Sequence, residues 1–119
     1  MLARRLWRWQ DVEDRWDACR LKSWVDGRLY QDCRADDFLS PVDMIAVLRE
    51  RVARMPQRDF MIFGGTIASI DKALGFGGRW EIELSDPASG DSIRHAYRIT
   101  NLMDEIKPEF RVPLTKEPA

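Results

Sequence analysis

The fold of this 119-residue chain is decided by residues 79–99, which read RWEIELSDPASGDSIRHAYRI. Apolar residues alternate with charged or polar ones along both halves, as they do in strands that bury one face and wet the other. The middle of the stretch, residues 85–91, is rich in turn-forming residues. The pattern therefore predicts a β-hairpin whose two strands share one apolar face.

A second hairpin is predicted upstream, around Asp26-Gly27. This dipeptide suits a two-residue type I′ turn, in which both central residues need a positive φ. The flanking residues 19–25 and 28–33 read as strands. A single helix over residues 6–25 would occupy the strand that leads into this turn. We therefore expect only a short helix or irregular segment near residues 8–16.

The two cysteines, Cys19 and Cys33, lie on these predicted strands. If Val25 lies opposite Arg28, Cys19 faces Arg34 and Cys33 faces Arg20, which puts the thiols on opposite faces. A disulfide would then have poor geometry, so we expect two reduced thiols in a cytoplasmic protein.

The clearest helix is predicted at about residues 41–54. Ser40 is a candidate N-cap, and Pro41 suits the first helical position. Farther along, residues 60–63 read FMIF and are followed by Gly64-Gly65. Such a short, punctuated apolar run predicts a buried strand rather than a helix.

Composition narrows the class of protein. The chain is 45% hydrophobic and 33% charged, and 19 Lys and Arg against 20 Asp and Glu leave a net charge of −1. A dedicated nucleic-acid binder would show a basic excess. No apolar run approaches the roughly 20 residues of a membrane span, and the first residues do not resemble a secretory signal. We therefore expect one soluble domain over residues 1–107 and an extended tail over 108–119.

Three features invite a chemical interpretation. Glu81 and Glu83 could chelate a hard cation, although the solvated face of an amphipathic strand is the plainer explanation. His95 is the only histidine, and on an apolar strand face it is more typical of a packed residue with a satisfied ring nitrogen than of a catalyst. Four of the five tryptophans precede residue 25 and could mark either an interface or a core.

The loop Gly64-Gly65-Thr66 is the most suggestive local motif. Two glycines let a backbone approach a ligand closely, and the threonine hydroxyl can hold a carboxylate or phosphate oxygen. The motif lacks the Gly-Lys-Ser/Thr ending of a P-loop. A tight turn leaving a sheet is the alternative.

Taken in order, these motifs resemble the C-terminal half of the fumarylacetoacetate hydrolase superfamily. The chain is most similar to a bacterial branch of unassigned function (DUF2848-like). The resemblance covers roughly residues 12–101 and rests on five segments in order: Trp16-Asp17, Tyr30-Gln31, Gly65-Thr66, residues 83–87 (ELSDP) and residues 95–97 (HAY).

This resemblance implies an α+β fold with a mixed β-roll. It also implies a hydrolase-like activity on small oxo-acids or acyl-pyruvate-like compounds, with Mg²⁺, Mn²⁺ or Ca²⁺ polarising the substrate. The family's metal ligands precede this half and have no counterpart here, so the resemblance implies no metal site and no complete catalytic site in this chain. It assigns substrate contact to Gly65 and Thr66, and a weaker role to Gln31. Ile67 and Gly77-Gly78 depart from the family pattern.

The expected partners follow from the lack of a metal-binding half in this chain. The resemblance implies a half domain completed by a second copy or by a chain that supplies the metal-binding half. A stand-alone interaction module, such as an adaptor or inhibitor on a related fold, is the first alternative. A small metal-dependent enzyme that uses Glu81 and Glu83 is the second.

Overall fold

In a computed structural model, residues 2–112 are described, and they form an α+β domain on one antiparallel sheet. The strands are β1 (Arg20–Val25), β2 (Arg28–Arg34), β3 (Arg79–Asp86) and β4 (Asp91–Arg98), in the spatial order β2-β1-β3-β4. The α-helices are α1 (Trp9–Val12), α2 (Pro41–Arg51) and α3 (Leu102–Glu105), and 3-10 helices cover Glu13–Ala18, Ala35–Asp37 and Pro108–Phe110. Both predicted hairpins are confirmed. The sheet of the described residues is open and wholly antiparallel. The mixed β-roll that the resemblance implies therefore stays a prediction.

The predicted alternation sets the two faces of the sheet. Along β3 and β4, Trp80 pairs with Tyr97 and Ile82 pairs with His95, so these four side chains share one face. The residues between them, such as Glu81 and its neighbours in both strands, lie on the other face. The sheet therefore has an apolar face and a charged face, as the pattern of residues 79–99 predicts.

The β1–β2 turn has the expected backbone. Asp26 has a φ of 49° and Gly27 a φ of 80°, which places both central residues in the left-handed region that a type I′ turn requires. The pairing then shifts by one residue between Ser23 and Trp24. Trp24 faces Leu29 but Ser23 faces Gln31, so Tyr30 is the extra residue of a β-bulge.

The bulge corrects the predicted placement of the cysteines. Cys33 faces Leu21 instead of Arg20, and the Ala35 N–H donates to the Cys19 carbonyl. Because Cys19 and Leu21 are two residues apart, both thiols lie toward the same face, and the predicted opposite placement is wrong. Both cysteines are buried and free. Burial raises the pKa of each thiol, so both stay protonated at neutral pH.

Helix α2 begins as predicted. The Ser40 hydroxyl accepts a hydrogen bond from the Asp43 N–H at 3.1 Å, and Pro41 occupies the first turn. The helix ends at Arg51 rather than near residue 54, because Val52 adopts an extended backbone with a ψ of 140°.

The strand predicted at residues 60–63 is absent. Residues 60–68 make no regular secondary structure, and Phe63 is 85% exposed. A strand needs a neighbouring edge to pair its backbone groups, and the described chain places none beside this run. We call residues 60–76 the linking segment; its exposed large apolar side chains are Phe60, Met61, Phe63, Ile70, Leu74 and Phe76.

Little of the apolar surface is covered. The buried apolar residues of the described chain are Val12, Cys19, Val25, Cys33 and Ala35. The whole chain exposes 10143 Å², whereas a compact protein of 13.9 kDa exposes about 6,700 Å². Its radius of gyration is 18.5 Å, against about 13.5 Å for a compact chain of this length. The eight residues outside 2–112 could add at most about 1,400 Å², so the described fold is itself open. No helix within residues 2–112 is long and apolar enough to cross a membrane.

Candidate functional site

An open cavity of about 370 Å³ lies where β2 and β3 meet the end of the linking segment. Strand β2 contributes Tyr30 and Gln31, strand β3 contributes Trp80, and the linking segment contributes residues 66–69 and 72–74. The cavity therefore brings together Gln31 and Thr66, two residues that stand 35 positions apart in the chain and were singled out from the sequence.

The Gln31 amide connects the sheet to the loop. Its Nε2 donates to the Thr66 hydroxyl at 3.0 Å and to the Ile67 carbonyl at 2.8 Å. Because a carbonyl only accepts, the amide nitrogen must face the loop. The amide oxygen then faces the sheet, where the buried Ser23 hydroxyl donates to it at 2.7 Å. Ser23 thus fixes the orientation of Gln31, and Gln31 fixes Thr66.

Thr66 keeps its own donor available. The distance from its hydroxyl to the Ile67 carbonyl is 3.3 Å, which is long for an O–H donor. The residue is also exposed. The hydroxyl proton can therefore be redirected toward an oxygen atom of a ligand in the cavity. At the same time the Gln31 amide holds the hydroxyl oxygen in place.

The two glycines before Thr66 act on the backbone. Gly65 has a φ of 86°, which only glycine adopts without strain. A Cβ on Gly64 would lie 3.3 Å from the Met44 sulfur on α2. Gly65 does not line the cavity of Gln31 and Thr66; it lines a neighbouring apolar cavity with Gly64 and Met44. Gly65 therefore shapes the loop that presents Thr66.

The bulge residue Tyr30 fastens the far end of this loop. Its carbonyl accepts from the Ile70 N–H at 2.9 Å, and its hydroxyl accepts from the Gly75 N–H at 3.0 Å. Its ring packs edge-on against Trp80, with 5.2 Å between ring centroids. A bulge re-aims a side chain in this way, and here it ties the linking segment to the sheet.

Sequence reasoning missed two residues of the site, Ser23 and Lys72. Ser23 becomes visible only once the bulge places it opposite Gln31. Lys72 lines the cavity with a φ of 58°. No sequence signal marked it, because an isolated lysine in a loop is an ordinary surface residue.

Glu81 and Glu83 lie on the charged face, on the opposite side of the sheet from Gln31. Arg94 contacts both carboxylates, at 3.3 Å from Glu83 and 3.7 Å from Glu81, and Arg79 contacts Glu81 at 3.2 Å. Within residues 2–112 no group of three or more His, Cys, Asp or Glu side chains could hold a metal ion. The described residues do not fit a divalent metal, and the paired glutamates match the solvated strand face.

His95 is packed on the apolar face, stacked on Tyr97 at 6.1 Å between ring centroids. We expected its ring nitrogen to be hydrogen-bonded, and for Nε2 this expectation is wrong. This atom is buried without a hydrogen-bond partner in the described part of the chain. Two indole nitrogens, those of Trp16 and Trp80, share this state.

The early tryptophans do not form one exposed patch, and all of them are half-buried. Trp9 packs edge-on against Trp16, with 5.6 Å between ring centroids. Trp7 donates to Asp91 at the start of β4, and Trp24 lies beneath the Arg94 guanidinium on the charged face. These residues serve local packing at three separate places.

Neither a curated protein nor a solved structure matches the chain. A family model described as "Protein of unknown function (DUF2848)" matches residues 1–97. This match spans most of the chain, and the chain therefore belongs to the DUF2848 family.

Proposed function

We propose that this chain is the substrate-loop half of a hydrolase-like fold of the fumarylacetoacetate hydrolase type. It binds small oxo-acids or acyl-pyruvate-like compounds in the cavity of Gln31 and Thr66, and it acts on them when a second chain completes the fold. The observation that carries the proposal is the Ser23–Gln31–Thr66 chain of hydrogen bonds. It presents a hydroxyl donor to an open cavity from the loop that the resemblance assigns to substrate.

The arrangement suits a compound that carries oxygen atoms on a short carbon skeleton. Thr66 supplies a donor for a carbonyl or carboxylate oxygen, while Trp80, Ile67 and Leu74 supply apolar wall for the carbon atoms. A cavity of this mixed character is typical of small-molecule sites. In this proposal the second chain supplies the divalent metal, Mg²⁺, Mn²⁺ or Ca²⁺, together with its ligands.

Binding to the cavity is the first test. Titrated with acetylpyruvate, the purified chain should show saturable amide NMR shifts at Gln31 and Thr66. Thr66→Val removes the hydroxyl with almost no change of shape, and we expect it to weaken binding about fivefold, the effect of one hydrogen bond. Thr100→Val, an exposed threonine outside this cavity, should leave binding unchanged. Equal binding by wild type and Thr66→Val would contradict the assignment of Thr66.

Association is the second test, and it rests on the open fold. The linking segment exposes six large apolar side chains, and both Ile82 and Ile99 are exposed at the apolar side of β3 and β4. Apolar surface of this extent marks an interface. At micromolar concentration we expect analytical ultracentrifugation to show self-association, or a stable complex with a co-expressed metal-binding half.

A matched pair of variants tests where the association surface lies. Phe63→Ser should reduce association without lowering the melting temperature, because Phe63 is 85% exposed in the single chain. Phe110→Ser, which also changes an exposed phenylalanine but outside the linking segment, should leave association unchanged. A compact monomer would contradict the pairing, and association without any acetylpyruvate binding would instead favour the interaction module.

A further inference from the structure

The cavity of Gln31 and Thr66 contains one charged side chain, Lys72, which the resemblance does not assign. The residues that line the cavity include no Asp or Glu. Within residues 2–112, no carboxylate forms a salt bridge with the Lys72 ammonium group. Lys72 is exposed, and it is the one charged residue among the described residues that line the cavity.

The backbone at Lys72 is strained. Its φ of 58° lies in the left-handed region, which is uncommon for residues other than glycine. Strain of this kind is concentrated at ligand sites. A glycine or asparagine would adopt the same backbone more easily, so the lysine carries a conformational cost here.

The neighbours of Lys72 impose this conformation and leave its side chain free. The Ser69 hydroxyl lies 2.6 Å from the Ala73 carbonyl and 3.0 Å from the Asp71 carboxylate, and the Ala73 N–H donates to Asp71 at 3.2 Å. The hydrogen bond from the Ala73 N–H lowers the pKa of Asp71 most, and the one from Ser69 lowers it further. The one nearby carboxylate in the turn is therefore already engaged, and the turn projects Lys72 without neutralising it.

We propose that Lys72 is the residue by which this cavity selects anions. Its ammonium group binds the carboxylate of a small organic acid, and the remaining oxygen of that acid accepts a hydrogen bond from Thr66. The inference rests on the proposed function, since it uses the same cavity, but it adds a specific claim. The cavity discriminates between an acid and its neutral amide, and Lys72 alone provides that discrimination.

The test compares pyruvate with its neutral amide, pyruvamide, by NMR titration of the purified chain. Wild type should bind pyruvate about tenfold more tightly than pyruvamide, the effect of one charge-assisted contact. Lys72→Gln should weaken pyruvate binding about tenfold and leave pyruvamide binding unchanged. Lys72→Arg should keep the preference, and Lys107→Gln, an exposed lysine outside the cavity, should bind both probes as wild type does.

Lys72→Gly separates a binding role from a structural one. Glycine relieves the strain at a φ of 58°, so this variant should melt at or above the temperature of wild type. It should nevertheless lose the preference for pyruvate. A variant that melts lower and keeps the preference would show that Lys72 serves the turn and not the ligand, which overturns the proposal.

The outcomes also distinguish this inference from the proposed function. If both probes bind equally and Thr66→Val weakens both, the cavity binds oxo compounds but Lys72 does not select the anion. If neither probe causes saturable shifts at Gln31 or Thr66, the proposed function and the role of Lys72 are both rejected.

Discussion

Replacing Asp86 with alanine is expected to lower the melting temperature by roughly 10 °C or more, the largest effect of any carboxylate in the chain. Asp86 is 1% exposed at the end of β3. Its carboxylate accepts from the Ser89 hydroxyl at 2.8 Å, from Arg15 Nε at 2.9 Å and from the Ala88 N–H at 3.1 Å. Alanine leaves all three donors without this partner, and it cuts the link between the Glu13–Ala18 helix and the β3–β4 hairpin.

Asp91 provides the matched control because it lies opposite Asp86 in the same hairpin and also pairs with an arginine, Arg5. Its side chain is 39% exposed, and exposed ion pairs contribute little to stability. Asp91→Ala should therefore lower the melting temperature by no more than about 5 °C. Equal losses in the two variants, measured by circular dichroism, would contradict a structural role for the buried carboxylate.

The same carboxylate predicts how stability depends on pH. The Ser89 hydroxyl, followed by Arg15 and the Ala88 N–H, holds the pKa of Asp86 below its ordinary value of 3.8. A depressed pKa in the folded state stabilises the protein above pH 3.8, and this contribution is lost as the pH falls through the folded-state pKa. Thermal melts between pH 2 and 7 should show this loss below about pH 4 in wild type. Asp86→Asn should show a smaller loss, because it removes one of the titrating carboxylates.

Gly77→Ala is expected to lower the free energy of unfolding by about 2–3 kcal/mol. A Cβ on Gly77 would clash with the side chains of Val25 and Asp26. Val25 is buried, and Asp26 accepts from the Arg79 N–H at 2.9 Å and from the Gly78 N–H at 3.1 Å. Neither side chain can move without loss, because one belongs to the small core and the other joins the β1–β2 turn to β3.

Gly78→Ala is the control for this steric argument. A Cβ there would meet only the Asp26 carboxylate, at 3.9 Å, which is ordinary contact. We expect a change in the free energy of unfolding below about 1 kcal/mol, measured by urea denaturation. If both alanine variants lose the same stability, close packing at Gly77 is not the cause, because the lower flexibility of the unfolded chain would by itself stabilise both variants.

Several elements of the fold could be predicted because their causes are local. The turn at Asp26-Gly27 follows from the ability of these residues to adopt a positive φ, and the start of α2 follows from a side chain three residues from the N–H that it caps. The two faces of the β3–β4 hairpin follow from a period of two. Each of these features depends on residues close together in the sequence.

The failures involve contacts between distant residues. The bulge at Tyr30 shifts the pairing by one residue, and no residue of the hairpin predicts it. The Tyr30 carbonyl and hydroxyl accept hydrogen bonds from Ile70 and Gly75, which are 40 or more residues away in the chain. The apolar run at residues 60–63 has the composition of a buried strand, but no strand edge in the described chain receives it. Composition predicts that a segment can form a strand, but a neighbouring strand edge decides whether it forms one.

The candidate site shows the same division. The resemblance assigned Gly65, Thr66 and Gln31 to substrate contact, which stays a prediction, and Gly65 lies outside the cavity that Thr66 and Gln31 line. Only the folded chain brought Gln31 within 3.0 Å of Thr66, aimed its amide through Ser23, and set Lys72 on the cavity wall. The reason is physical: propensity and alternation act over a few residues, whereas a cavity exists only where segments remote in sequence meet.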